Sequence, residues 1–173
     1  MRYKSKNYFI DTLKVETLAK KYSTPLYCYS FKKLKNNIMN FKQNFKTINP
    51  IICFAVKANS NGTILREIGK LGLGADVVSI GELIKALGSG IKPNKIVFSG
   101  VGKTENEIKY AIRRKILLIN AESESEILTI EKIAKKEKRI IDIGIRINPN
   151  TDAKTLNQIS TGKKENKFGV SEE

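Results

Sequence analysis

Lys57 stands where an amine can do covalent chemistry. It closes the apolar run Ile51 to Val56 and precedes the polar stretch Ala58 to Asn61, within the octapeptide FAVKANSN. A short run of β-favouring residues bounded by a turn signal reads as a buried strand. An ammonium in the middle of such a strand is costly, because a buried charge must be paired or give up its proton. At the mouth of the strand the lysine can face a cavity, shed its proton and attack a carbonyl as a neutral amine, which is what a Schiff-base lysine requires. A lysine that merely extends from a strand end into water satisfies the same local pattern. The surrounding sequence has to decide between the two.

That surrounding sequence repeats one unit: apolar strand, polar turn, amphipathic helix. Further strands are expected at Ala75 to Val78, Lys95 to Phe98, Ile116 to Ile119 and Ile140 to Ile147. Between them, apolar residues recur at three- and four-residue steps. Ile64, Leu65, Ile68 and Leu71 line one helix face, and Ile80, Leu83, Ile84 and Leu87 line the next. Ile108, Ala111 and Ile112 begin a third face, and Ile127, Ile130 and Ala134 a fourth. Ser79 with Glu82, Thr104 with Glu107 and Ser123 with Glu126 each fit the S/T-x-x-E capping box, soon after a strand. Gly72, Gly88 and Gly90 fall where helices should stop.

Alternating strands and helices imply a parallel sheet with right-handed crossovers. No G-x-G-x-x-G follows a strand, which disfavours a dinucleotide fold, so a (β/α) barrel is preferred. In barrels the chemistry sits at the C-terminal strand ends, and Lys57 occupies such an end. A full barrel needs about 200 to 250 residues, whereas this chain has 173. The expected fold is therefore α/β: a partial (β/α)8 TIM-type barrel over residues 31–173, stopping before closure. An unclosed barrel leaves an apolar edge with unpaired backbone groups, so weak folding is expected of these residues alone. Residues 1–30 are read as a separate N-terminal segment, with a short helix at Val15 to Tyr22 and a strand at Pro25 to Tyr29. A basic helix follows from Phe31 to Phe45, broken by Asn49 and Pro50.

The net charge of +15 raises a nucleic-acid reading. The lysines are dispersed, however, with Glu105, Glu107, Glu122, Glu124 and Glu126 interleaved, and no basic run carries stacked aromatics. A solvated basic surface is preferred, with no nucleic-acid partner. Cys28 and Cys53 lack metal-ligand spacing and no histidine completes a site. The absence of histidine also excludes Ser-His-Asp and Cys-His machinery within these residues. The N-terminus has no apolar signal core, and no stretch approaches a membrane span. A cytoplasmic protein with reduced thiols is expected.

FAVKANSN, GADVVSIGEL, IVFSGVGKTENEI, NAESESEI, IRINPNTDAKT and ISTGKKENKFGV occur in order over positions 54 to 170. Together with TPLYCYS upstream, they resemble the N-terminal barrel portion of the diaminopimelate decarboxylase family, pyridoxal-phosphate enzymes of the alanine-racemase-like fold type. FAVKAN alone would mark only the wider group that includes ornithine and arginine decarboxylases; STGKKENKFG is similar to the diaminopimelate branch.

The resemblance implies pyridoxal 5'-phosphate as cofactor, with Lys57 matching the lysine that carries it. It implies that Asp76 matches an acidic residue near that lysine and that Arg146 matches a strand-end arginine near the cofactor ring. Asp76 and Arg146 could equally pair with one another in a structural role. Glu82 matches an acidic position already explained by its cap, and Lys167 matches a loop-positioning residue. Leu156 departs from the family, where histidine is common. The implied reaction is decarboxylation of meso-2,6-diaminopimelate to L-lysine and carbon dioxide, by a homodimer when complete. The family's stacking histidine, phosphate loop, pyridine-facing acid, substrate-binding residues and C-terminal β-domain match segments beyond these 173 residues. An inactive truncated fragment and a pyridoxal-phosphate homeostasis protein of the same barrel type are the alternatives.

Overall fold

A computed structural model describes residues 2–4, 6–151 and 168–171. The readings made on Leu156 and Lys167 lie outside the described residues. The chain divides into two compact units, Met1–Pro50 and Ile51–Glu173.

In the first unit an antiparallel meander of β1 (Arg2–Lys4), β2 (Asn7–Ile10) and β3 (Leu13–Lys14) leads into α1 (Val15–Tyr22). The turn between β2 and β3 carries Asp11 with φ 54°, a left-handed conformation that aspartate tolerates better than most residues. Ser30 ties this hairpin to α2 (Phe31–Asn44): its hydroxyl donates to Asp11 and its oxygen accepts from the Lys33 amide as the helix N-cap. The two helices match the sequence expectation. The strand expected at Pro25 to Tyr29 does not form, because no strand of either unit pairs with it among the described residues, and Tyr27 and Tyr29 are exposed.

The second unit alternates strand and helix throughout. Its strands β4 (Cys53–Ala55), β5 (Gly74–Val77), β6 (Ile96–Phe98), β7 (Leu118–Ala121) and β8 (Asp142–Ile145) form one parallel sheet in sequential order. Helices α3 (Gly62–Lys70), α4 (Ile80–Gly88), α5 (Glu105–Arg114) and α6 (Glu124–Glu137) make the crossovers. Beyond β8, the short strand β9 (Ile147–Asn148) pairs in parallel with β10 (Val170–Ser171). Sequential parallel order with helical crossovers is the order of a (β/α) barrel, and the sheet is an unclosed part of one. Among the described residues, β4 and β8 each pair on one side only.

Side-chain alternation sorts the sheet into two faces. Ala75, Val77, Ile96, Phe98, Ile119 and Ala121 are buried on the helix-covered face, against Leu65, Ile68, Leu83, Ala86, Ile108, Ala111, Ile112 and Ile130. Cys53, Ala55, Asp76, Val97, Leu118, Asn120 and Gly144 lie on the other face, the lumen side of a barrel, and are half-buried. The strand boundaries shift by about two residues from expectation in β7 and β8, where pairing rather than apolar content sets the ends. Ile84, expected on the α4 core face, is exposed, and Ala86 takes its place.

All three expected caps form. Ser79, Thr104 and Ser123 each accept from the amide three residues on. Thr104 and Glu107 complete the reciprocal box, whereas Glu82 and Glu126 reach one residue further back, to the amides of Val78 and Glu122. Gly72 and Gly90 hold positive φ after their helices; Gly88 remains the last helical residue of α4.

Candidate active site at the C-terminal strand ends

Five parallel strands present their C-terminal ends along one edge of the sheet, and Lys57, Asp76, Ser99, Asn120, Glu122 and Arg146 lie at or just past those ends. β4 ends at Ala55, and Val56 to Ala58 coil into one 3-10 turn closed by the Asn59 amide donating to the Val56 carbonyl (3.0 Å). Val56 is fully buried and anchors the turn, which leaves Lys57 exposed at the strand mouth. The asparagines of FAVKANSN have a separate task. Asn59 Oδ1 accepts from the Asn61 amide, and Asn61 Oδ1 caps α3 by accepting from Thr63 and Ile64. The motif therefore joins Lys57 to the turn that presents it at the strand mouth.

Asp76 lies on the next strand, opposite Ala55 on β4 and Val97 on β6. Its Oδ1 accepts from the Ser99 hydroxyl (2.5 Å), and the Ser99 oxygen in turn accepts from Asn120 Nδ2 (3.0 Å). A polar row thus crosses β5, β6 and β7 on the lumen face, with its donors all directed toward the carboxylate. It ends over Gly144, where a Cβ would strike Asn120 Oδ1. On the same face, the half-buried Cys53 thiol donates to the Lys95 carbonyl (3.5 Å). Burial, and then the neighbouring charge of Asp76, push this thiol upward, which disfavours the nucleophilic thiolate form.

Arg146 follows β8. It does not pair with Asp76; its Nη1 donates to Glu122 Oε1 (3.2 Å), and its guanidinium lies over the Phe168 ring (4.6 Å). Glu122 directly follows β7, and its side chain is only 5% exposed. It also accepts from the Gly100 amide (3.2 Å) and the Gly169 amide (3.0 Å). Beside it, Lys103 is buried at 2% side-chain exposure, paired with Glu126 (2.8 Å), and donates to the carbonyls of Gly100 and Asn120. The sequence reading passed over Ser99, Asn120, Glu122 and Lys103. Glu122 escaped notice because the strand was expected to end at Ile119; the pairing of β7 through Ala121 is what brings Glu122 to a strand end.

The family model for the pyridoxal-binding domain of pyridoxal-dependent decarboxylases matches residues 31–173. The chain belongs to this family. It is 55% identical over 157 residues to a diaminopimelate decarboxylase of Helicobacter pylori, a match covering 91% of this chain and 39% of that protein. The crystal structure of the Helicobacter pylori enzyme complexed with L-lysine superposes with a TM-score of 0.87 at 52% identity, covering 91% of this chain and 40% of that one. The diaminopimelate decarboxylase of M. jannaschii, in co-complex with L-lysine, gives 0.89 at 41% identity, covering 98% and 41%. The chain thus spans about two-fifths of the length of the curated relatives it matches. Both structural relatives support the partial barrel, and the family's cofactor is pyridoxal phosphate.

Among the described residues no helix is long and apolar enough to cross a membrane. Some of the basic side chains of the helices are held in exposed ion pairs, such as Lys70 with Glu67 and Arg113 with Glu137.

Proposed function

We propose that this chain supplies the lysine-bearing part of a diaminopimelate decarboxylase, which converts meso-2,6-diaminopimelate to L-lysine and carbon dioxide. One observation carries the reading: an exposed lysine at the mouth of β4 shares a strand-end edge with a hydrogen-bonded carboxylate and an arginine, within a chain similar to diaminopimelate decarboxylases over nine-tenths of its length. The residues fit the cofactor's chemistry. Lys57 offers the amine that condenses with an aldehyde and releases water, and its exposure leaves that amine open to a ligand.

Pyridoxal phosphate, when bound, supplies the electron sink for the pair left behind by departing carbon dioxide. Lys57 holds the cofactor at rest, gives way to the substrate's own amine, and returns to release product. Asp76, oriented by Ser99, stands on the strand next to β4, and Arg146 follows β8 on the same strand-end edge. In an eight-stranded closure the first and fifth strands are diametrically opposed. Lys57 after β4 and Arg146 after β8 would then face each other over the lumen.

In the same reading residues 1–30 serve a C-terminal β-domain, residues 31–173 form the cofactor barrel, and the working enzyme is a cytoplasmic homodimer acting on a small amino acid. A second reading, cofactor binding without turnover by these 173 residues, is favoured by the one-sided pairing of β4 and β8 among the described residues. Borohydride reduction in the presence of pyridoxal phosphate, followed by peptide mapping, tests the first claim. The expected label falls on Lys57 and disappears in Lys57→Ala; a label confined to other lysines would overturn the reading. Release of radiolabelled carbon dioxide from carboxyl-labelled diaminopimelate separates the two readings.

A further inference from the structure

We propose that Glu122 is a positioning residue for the cofactor site: it holds Arg146, and the two backbone segments at Gly100 and Gly169, in the arrangement that pyridoxal phosphate requires. The inference rests on the functional reading above and deepens it, because Glu122 itself would touch neither cofactor nor substrate.

A buried carboxylate needs compensation, and Glu122 receives it from three separate stretches of chain. Oε1 accepts from the Gly100 amide after β6 and from Arg146 after β8, and Oε2 accepts from the Gly169 amide. Its own backbone is held as well, since its amide donates to Glu126 Oε2 (2.8 Å) while Glu126 Oε1 holds Lys103. Two of the donors are glycines with positive φ, Gly100 at 96° and Gly169 at 76°. A Cβ on Gly169 would meet the Arg146 carbonyl and the Asn148 amide. The 168–169 segment therefore reaches Glu122 by an approach that only glycine permits.

A simple structural staple would satisfy the carboxylate equally well. Two features argue for more. The stapled segments all lie at the C-terminal strand ends, where barrel chemistry resides. Arg146 is also clamped from two directions, by the Glu122 carboxylate at one nitrogen and by the Phe168 ring under its plane, while its side chain keeps 38% exposure. A guanidinium fixed in orientation yet open on one side is arranged to meet a ligand.

Two readouts on the full chain test this. The first is the rate at which phenylglyoxal modifies Arg146, read by peptide mapping; the second is the pyridoxal phosphate concentration giving half-maximal borohydride labelling of Lys57. Glu122→Gln keeps the shape but removes the charge. It is expected to speed modification of Arg146 about fivefold and raise the half-labelling concentration about tenfold, since small misplacements at a site cost factors of this size. Arg146→Ala should raise the half-labelling concentration by a similar factor, and the double variant no further than the worse single one. Thr104→Ala, which removes a helix cap at some cost in stability, should leave both readouts within about twofold.

Unchanged modification of Arg146 in Glu122→Gln would overturn the positioning role alone. Additive effects in the double variant would do so too, as would an equal effect of Thr104→Ala. Absence of label on Lys57 in the unaltered chain would instead overturn the functional reading on which the inference rests.

Discussion

Strands β6 and β8 both carry large apolar side chains and share one parallel sheet, yet those side chains meet different surroundings. Ile96 and Phe98 on β6 are 0% exposed, whereas Ile143 and Ile145 on β8 remain 40% and 56% exposed. β6 has a paired strand on each side, while β8 pairs on one side only among the described residues. Residue type proposes burial; neighbouring units carry it out. Burial at β6 contributes most of the side chain's transfer free energy, and at β8 only a fraction of it.

The sharpest way to break this contrast is to truncate one residue on each strand. Phe98→Ala is expected to cost about 4 kcal/mol in urea unfolding, and Ile145→Ala less than about 1 kcal/mol. Equal costs would mean that β8 is covered in solution. Lys103→Ala comes next, at about 3 kcal/mol, because it leaves Glu126 buried without its cation. Its exposed counterpart Lys132→Ala should change the unfolding free energy by less than about 0.5 kcal/mol.

Gly144→Ala sharpens the comparison on the lumen face. A Cβ there meets Asn120 Oδ1, so a loss of about 2 kcal/mol is expected. Restoration by a second change, Asn120→Ser, would show that the contact is the cause. The smallest effect belongs to Glu107, whose carboxylate accepts from the Thr104 and Ile80 amides and so joins the starts of α5 and α4. The Thr104 hydrogen bond, the largest influence, and that of Ile80 hold this carboxyl below the ordinary range against the opposing effect of burial. Its stabilising contribution is therefore complete above the ordinary carboxylate pKa and is lost as pH falls through the lowered folded value. Glu107→Gln should cost about 1 kcal/mol near neutral pH, and the difference from the unaltered chain should shrink below about pH 4. A difference independent of pH would show that the charge plays no part.

Much of this was legible before folding. The helix-facing stripes of α3 and α5, the three N-caps and the five parallel strands follow from short-range periodicity and local hydrogen bonding, which depend on residues within a few positions. The meander of Arg2 to Lys14 was not read, because its strands are too short for alternation to register. The strand expected at Pro25 to Tyr29 failed for the opposite reason, since it had the composition but no pairing partner.

At the site, the same division holds. The sequence by itself determined where Lys57 would sit, because strand, turn and lysine are contiguous from Cys53 to Asn61. It also set the polarity of the edge, since each βα turn must follow a strand's C-terminal end. Only the tertiary structure decided who pairs with whom. Asp76 turns to Ser99 and Asn120, and Arg146 to Glu122, Phe168 and the Gly169 segment. Those partners stand twenty or more residues apart, and their meeting depends on strand register and crossover geometry, which no local pattern encodes.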